Sequence, residues 1–185
     1  NQAKWRGTWK LDGGVVSNQA SHHLDLMRTI MGQPISVYAK SFNHLAKIEC
    51  EDTALIILKF KNGKTGLMEA TTAMRPFNVE GSFSLMGTKG SAKVGGFALN
   101  EIIYSNLRKK SNYDKYKTNP KNVYGYGHIE FYKHIENVMS KNKKSEFECR
   151  EAIKTVELIN AIYKSIETNK EVYLNKNFMS KKLGN

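Results

Sequence analysis

The sequence predicts an α+β fold, with an open, mainly antiparallel β-sheet covered on one face by helices. Two pairs of apolar segments are joined by short turns, Lys61-Asn62-Gly63-Lys64 and Gly87-Thr88-Lys89-Gly90. Asn-Gly is a strong hairpin signal, and tight hairpins join antiparallel strands. Near the C-terminus, apolar residues recur at the three- and four-residue steps of a helix that buries one face. These residues are Ala152, Val156, Ile159, Tyr163 and Ile166.

The first predicted element is a helix over residues 15–31, whose apolar residues keep helical spacing. Gly32 and Pro34 then form a common stop signal. Residues 95–120 are less regular. β-branched and aromatic residues between turn signals predict the strands, and periodic apolar residues predict the later helices. The strands are 35–45, 52–60, 65–74, 82–86, 91–94 and 172–174, and the helices are 129–139 and 148–168.

Chain length and cysteine content suit one domain of a cytoplasmic protein. The chain has 185 residues, the usual size of one domain. No run approaches the roughly 18 apolar residues of a membrane span, and no secretory signal is present. Cys50 and Cys149 lack metal-ligand spacing, so we expect no metal and a reduced pair rather than a disulfide. The start at Asn1 without Met suggests a piece of a larger protein.

The net charge of +12, from 29 basic and 17 acidic residues, raises the question of a nucleic-acid partner. The lysines are mostly scattered. The densest groups, Arg108-Lys109-Lys110, Lys141–Lys144 and Lys181-Lys182, fall in predicted loops or at the tail. We therefore expect a solvated basic surface and no nucleic-acid partner. A modest contribution to attracting an anionic substrate is the alternative.

The residues from Trp5 to Asp25 carry the candidate chemistry. On a helix, Asn18 and His22 are four residues apart on one face, and Asp25 lies nearly on it. Histidine titrates near ~6.5, so His22 can give and take a proton near neutral pH. The alternative is that these polar residues only cap or decorate a helix. His23 points about 100° away, which favours a packing role.

This segment resembles the signature of the glucose–fructose oxidoreductase and inositol dehydrogenase family. In that pattern, a glycine run and an apolar pair precede Asp or Asn, His and Asp, as in Gly13–Asp25. The resemblance covers almost the whole chain, including Glu51-Asp52-Thr53 at the start of an apolar strand. The motifs Trp5-Arg6-Gly7-Thr8-Trp9 and Asn122–His128 are most similar to one branch, the UDP-N-acetyl-glucosaminuronate 3-dehydrogenases of bacterial polysaccharide synthesis.

The resemblance implies that residues 1–185 are a C-terminal, dihydrodipicolinate-reductase-like domain that binds substrate and forms homo-oligomers through its open sheet. Family members carry an N-terminal Rossmann domain that binds NAD or NADP and supplies a lysine to the site. This chain has no Gly-x-Gly-x-x-Gly after a strand, so we expect the cofactor to be held elsewhere. A chain without that domain is expected to be inactive alone.

Five residues are candidates for the site. The resemblance suggests His22, Arg6 and Asn18, whereas Tyr124 and His128 are suggested by their place in a Gly-broken loop before a helix, since such loops often approach ligands. His22 would be the catalytic residue that deprotonates a hydroxyl, at C3 of a nucleotide sugar in this branch. Arg6, Asn18, Tyr124 and His128 would bind substrate. A guanidinium such as Arg6 binds carboxylates or phosphates bidentately, and Asn18 replaces the usual Asp and would orient the sugar by hydrogen bonds. A free-sugar or inositol dehydrogenase, or a non-catalytic oligomerisation module, are the alternatives.

Overall fold

A computed structural model describes residues 3–77, 81–96, 98–107, 113, 117–122, 124–145 and 147–185. The basic cluster 108–110 and Val123 of the Asn122–His128 motif lie outside the described residues. The chain divides into two compact units. The first unit contains Asn1–Met74 and Phe147–Asn185, and the second contains Arg75–Glu146. Each unit is described by itself below.

The helix predicted over residues 15–31 is interrupted. It consists of α1 (Val15–Asn18) and α2 (Ser21–Met31). Between them, the amide of Ala20 donates to the carbonyl oxygen of Val15, five residues back, at 2.8 Å. A five-residue step belongs to a π-type turn, which shifts the helical register. The prediction of one unbroken helix is therefore wrong, because apolar spacing does not reveal a local change in the hydrogen-bond ladder.

The first unit contains a four-stranded antiparallel sheet, in the order β3-β2-β1-β7. The turn between β2 and β3 follows from its sequence, since Asn62 (φ 62°) and Gly63 (φ 74°) adopt left-handed backbone conformations. Asn and Gly occupy this region most readily. The predicted hairpin is confirmed. The strands are β1 (Ser36–Phe42), β2 (Thr53–Lys59), β3 (Thr65–Thr71) and β7 (Val172–Tyr173).

Helices cover one face of this sheet, as predicted. In β2, residues alternate between buried and exposed after Ala54, so one face points into the core. Helix α4 (Cys149–Thr168) packs against β1 and also contacts α2. The core is mainly apolar, but the polar side chains of Ser36, Asp52 and Ser165 and the hydroxyl of Tyr163 are also fully buried. Its fully buried side chains include Leu24, Val37, Ile56, Leu58, Leu158, Ile162 and Tyr163.

The second unit contains a separate antiparallel sheet, in the order β4-β5-β6. We predicted one sheet, but the described residues form two, because a hairpin pairs its own strands without specifying whether two hairpins join. Strand β6 lies in the stretch that we predicted to be irregular. The elements are β4 (Phe83–Gly87), β5 (Gly90–Gly95), β6 (Glu101–Ser105) and α3 (Gly127–Ser140).

Both cysteines are free thiols. Cys149 is exposed, whereas Cys50 is buried. Burial, together with the nearby carboxylates of Glu51 and Glu49, raises the pKa of the Cys50 thiol to about 12. Cys50 is therefore a protonated, unreactive thiol at neutral pH, because the thiolate is the nucleophilic form. In the described part of the chain, no helix has the length and apolarity needed to cross a membrane.

Candidate active site

The loop before α1 is tied to that helix by Asp12. One carboxylate oxygen of Asp12 accepts a hydrogen bond from the backbone amide of Gly7 at 2.8 Å. The other accepts from the side-chain amide of Asn18 at 2.9 Å. The side-chain oxygen of Asn18 in turn accepts a hydrogen bond from the side-chain amide of Gln19 at 3.0 Å. Both ends of the Asn18 amide are thereby oriented.

Two distant residues cap the start of α1. The first amides of a helix have no partner within the helix itself. No side chain at the N-cap position serves here. Instead, all four amides of residues 14–17 donate to Tyr163 and Glu51. Gly14 (2.9 Å) and Ser17 (3.4 Å) donate to the Tyr163 hydroxyl, Val15 (3.0 Å) to the Glu51 carbonyl oxygen, and Val16 (3.0 Å) to Glu51 Oε1.

Glu51 and Tyr163 also bind each other. The Tyr163 hydroxyl donates to Glu51 Oε1 at 3.0 Å. Glu51 is only 3% exposed, and its Oε2 has no hydrogen-bond partner in the described ranges. Burial raises the pKa of the Glu51 carboxyl, against the opposing effect of the hydrogen bonds from Val16 and Tyr163. Burial likewise raises the pKa of the Tyr163 phenol. Burial therefore favours the neutral form of both side chains.

A cavity of about 260 Å³ opens beside this turn. The structure brings two of the predicted substrate residues, Arg6 and Asn18, to its lining. Arg6 is exposed, and its guanidinium lies over the Trp5 ring at 5.4 Å from the ring centre. The cavity therefore offers a cation and an amide to a ligand. Its other lining residues include Gly7, Asp12, Gly13, Gly14, Gln19, Ala46, Ile48, Glu51 and Thr72.

The part of the cavity wall that contains Ala46 depends on Asp52. The buried Asp52 carboxylate accepts hydrogen bonds from the amides of His44 (3.0 Å), Leu45 (2.7 Å) and Ala46 (2.8 Å). Although burial raises the pKa of Asp52, these amides and the Thr53 hydroxyl outweigh that effect and lower the pKa to about 2. Asp52 therefore stays ionised and holds the loop that contains Ala46.

His22 lies in the first turn of α2, three residues after the cavity-lining Gln19. Its side chain is exposed. Asp25 does not form the acid–base partner that the spacing suggested. Its carboxylate instead binds Arg28 at 3.1 Å and accepts from the Thr155 hydroxyl at 2.6 Å. Asp25 thus anchors α2 to α4, the alternative that the sequence left open.

Arg28 completes that anchor. It is 7% exposed, and its guanidinium binds Glu151 at 3.1 Å and the Thr155 hydroxyl at 3.1 Å. His23, the neighbour of the candidate base, is half-buried. Its pKa is lowered mainly by burial and, to a smaller extent, by the nearby His22. His23 therefore favours the neutral state and packs against the domain, whereas His22 faces solvent.

Tyr124 and His128 belong to the second unit. Both are exposed, and their rings meet edge to face with centroids 5.9 Å apart. His128 lies in the first turn of α3. Their role as substrate contacts stays a prediction, as do the roles of His22, Arg6 and Asn18.

Comparison with known proteins identifies the family of this arrangement. The model of the oxidoreductase family C-terminal alpha/beta domain matches residues 1–174. The chain belongs to this family. The resemblance noted in the sequence is confirmed, and so is the α+β class with open antiparallel sheets. No curated protein matches this oxidoreductase C-terminal domain.

Solved structures are similar over nearly all of the domain. The WlbA dehydrogenase from Bordetella pertussis, in complex with NADH and UDP-GlcNAcA, is 33% identical, with a TM-score of 0.88 over 95% of this chain and 52% of that one. WlbA from Chromobacterium violaceum, in complex with the same two ligands, is 37% identical, with a TM-score of 0.82 over 93% and 49%. This chain thus spans about half the length of these proteins.

A more distant structure shows the fold alone. Levoglucosan dehydrogenase, in complex with NADH, is 17% identical, with a TM-score of 0.76 over 93% of this chain and 53% of that one.

The sequence analysis missed Glu51 and Tyr163 as parts of the site. Tyr163 was placed in the apolar stripe of α4, and Glu51 only opened a strand. One signal was available, because a buried tyrosine hydroxyl usually has a hydrogen-bond partner. The partners themselves could not be read from the sequence, since Glu51 and Tyr163 are 112 residues apart.

Proposed function

We propose that this oxidoreductase domain is the substrate-binding half of a cytoplasmic, NAD(P)-dependent dehydrogenase of nucleotide sugars. Its substrate would be a UDP-linked N-acetyl-hexosaminuronate, oxidised at C3 during synthesis of a surface polysaccharide. The supporting observation is the 33% and 37% identity to two WlbA dehydrogenases, which were solved with NADH and UDP-GlcNAcA. These matches cover 95% and 93% of this chain.

His22 is the proposed catalytic base. A neutral imidazole can accept the proton of a sugar hydroxyl at neutral pH. As that proton moves to His22, the hydrogen on the same carbon leaves as hydride, and the alcohol becomes a ketone. The exposed position of His22 at the start of α2 suits a group that must meet a substrate from outside the domain.

Arg6 and Asn18 are the proposed ligands for the polar groups of the substrate. Arg6 can pair with the carboxylate or a phosphate of the substrate through its planar guanidinium. The Asn18 amide has two N–H donors, of which one binds Asp12. The second N–H is held in a fixed direction for a sugar hydroxyl. Tyr124 and His128 are proposed as further contacts from the second unit.

The described residues do not form a dinucleotide site at the Gly13-Gly14 turn. A pyrophosphate cradle needs free backbone amides. Here the amides of residues 14–17 are already bound to Tyr163 and Glu51. We therefore propose that another domain binds the NAD or NADP that accepts the hydride. The NADH in both WlbA structures favours NAD.

Substrate choice tests this proposal. The assay uses the protein in which this chain follows a cofactor-binding domain, and follows NADH absorbance. We expect kcat/KM for UDP-N-acetylglucosaminuronate to exceed that for free hexoses and inositols by at least about 100-fold, because a site built for polar groups rejects substrates that lack them. Equal values would establish the free-sugar alternative. No oxidation of any sugar would favour a non-catalytic module.

The outer face of the four-stranded sheet is the proposed homo-oligomer interface. Directly paired residues of antiparallel strands share a face. Leu67 pairs with Ile57, and both are exposed, at 73% and 46%. The same face exposes Leu55 and Tyr173. Exposed apolar residues grouped on one face of a sheet are typical of protein–protein contacts.

Leu67→Glu is expected to weaken self-association by at least about tenfold, because a carboxylate would have to be buried within the apolar contact. Sedimentation velocity over a concentration series measures the effect. The matched control is Ile153→Glu, which places the same charge at a similarly exposed residue of α4 (54%). Unchanged association in Leu67→Glu, or an equal loss in both variants, would refute the assignment of this face.

A further inference from the structure

We propose that Glu51 and Tyr163 are positioning residues that set the placement of the His22 side chain. The inference rests on the proposed function, in which His22 is the catalytic base. Neither residue needs to touch the substrate. Both act through α1, because they bind the amides of its N-cap residue Gly14 and of its first three residues.

Helix α1 needs an external anchor. It has only four residues, and a helix this short is not stable by itself in water. Its direction is therefore set by the groups that hold its ends. At its start, these groups are the Tyr163 hydroxyl, the Glu51 carboxyl and the Glu51 carbonyl oxygen. Tyr163 is itself fixed, since it is completely buried and its ring packs edge to face with that of Trp9, with the ring centroids 5.3 Å apart.

A path of backbone hydrogen bonds joins this anchor to the first turn of α2, which contains His22. The Val15 amide binds Glu51, and the Val15 carbonyl oxygen accepts from Ala20 at 2.8 Å. The Ala20 carbonyl oxygen then accepts from Leu24 at 2.9 Å, across the turn of α2 that contains His22. The placement of the first turn of α2 thus depends on where α1 begins.

The far half of α2 has a separate anchor. Arg28 binds Glu151 and Thr155 of α4, and these contacts do not involve α1. Loss of the Tyr163 hydroxyl should therefore displace the first turn of α2 while the helix stays docked. Misplacement of a reacting group by about 1 Å can lower turnover by 10²-fold.

Stability alone explains this pair poorly. Burying a carboxyl with one oxygen unbound costs free energy, and apolar residues of similar size often stabilise a core as well or better. The Glu51 Oε2 atom is such an unbound oxygen within the described part of the chain. What the pair adds is a directional hold on four successive amides. Glutamine keeps the size of Glu51 and an oxygen that can accept from Val16 and Tyr163, so it should replace Glu51 with little loss.

Tyr163→Phe is the decisive variant, because it removes only the hydroxyl that binds Gly14, Ser17 and Glu51. Ser165→Ala on the same helix is the matched control. The Ser165 hydroxyl is fully buried, accepts from the Ala39 amide at 3.0 Å and donates to the Lys170 carbonyl at 2.6 Å. Ser165 thus makes comparable hydrogen bonds, but to β1 and to the loop after α4 rather than to α1.

The first readout is the His22 ring in this 185-residue chain, followed by NMR and assigned with His22→Gln. We expect Tyr163→Phe to shift the His22 ring signals, and Glu51→Gln and Ser165→Ala to leave them close to those of the unmodified chain. An unshifted His22 in Tyr163→Phe, or an equal shift in Ser165→Ala, would overturn the proposal. This readout needs no catalysis, so it stands even if the proposed function fails.

The second readout is steady-state kinetics of the protein that includes the cofactor-binding domain. Tyr163→Phe is expected to lower kcat about tenfold with KM for the nucleotide sugar within about twofold, because positioning acts on the transition state more than on binding. Glu51→Gln should keep kcat within about threefold, and Glu51→Ala should match Tyr163→Phe. If kcat falls equally in Ser165→Ala, the pair is merely structural.

Discussion

Under the proposed function, His22→Ala is expected to lower kcat by at least about 100-fold in the protein that joins this domain to a cofactor-binding domain, the usual scale for loss of a general acid–base group. The His22 side chain is exposed, so its removal should leave the fold intact. The measurement is NADH formation at saturating nucleotide sugar. The pH–rate profile should also lose the limb that reports ionisation of the base, since no other described residue of α2 presents an exposed imidazole.

His23→Ala is the matched control for this prediction. It removes the same chemical group one residue away, on a half-buried side chain. We expect a modest loss of stability, because packing is lost, and a kcat within about threefold of that of the unmodified enzyme. Full activity in His22→Ala would exclude His22 as the base. Equal losses in the two variants would show that the helix, rather than one imidazole, is required.

The fold was predictable where local chemistry specifies it. Asn62-Gly63 requires left-handed backbone conformations and duly forms the turn between β2 and β3. The register shift at Ala20 was not predictable, because alanine suits a regular helix as well as a π-type turn. Strand β6 was also missed, because its sequence pattern is short and its pairing is irregular. It is five residues long, and its pairing with β5 is irregular between Lys93 and Val94.

The site was predictable only in part. The motif placed Arg6, Asn18 and His22 in one segment, and Arg6 and Asn18 do line one cavity. Periodicity describes neighbours along the chain, so it could not pair Asp25 with Thr155 or Tyr163 with Glu51, which are 130 and 112 residues apart. These distant contacts position the motif. The sequence thus predicted candidate residues, whereas their contacts with distant residues are visible only in the structure.

Gly14→Ala should strongly destabilise the domain. The Gly14 backbone has a negative φ of −108°, so the new methyl group causes no left-handed strain. The difficulty is space. A Cβ at Gly14 would overlap the carbonyl oxygen and the carboxyl group of Glu51, both of which hold the amides of α1. Relief of the overlap must move α1 away from Glu51, which breaks the hydrogen bonds of Val15 and Val16.

We expect Gly14→Ala to cost roughly 3–5 kcal/mol, from overpacking plus loss of two or more buried hydrogen bonds. That is a large share of a typical domain stability of about 5–15 kcal/mol, and it corresponds to a fall in Tm of roughly 10 °C. Urea unfolding followed by circular dichroism measures this loss of stability.

Gly127→Ala is the control, since its Cβ would meet no atom within 4 Å and its φ is not in the left-handed region. That variant should keep its stability within about 0.5 kcal/mol, because surface substitutions of this kind are nearly neutral. Equal stabilities for the two variants would mean that Glu51 does not press against the turn, and the anchoring of α1 would then need another explanation.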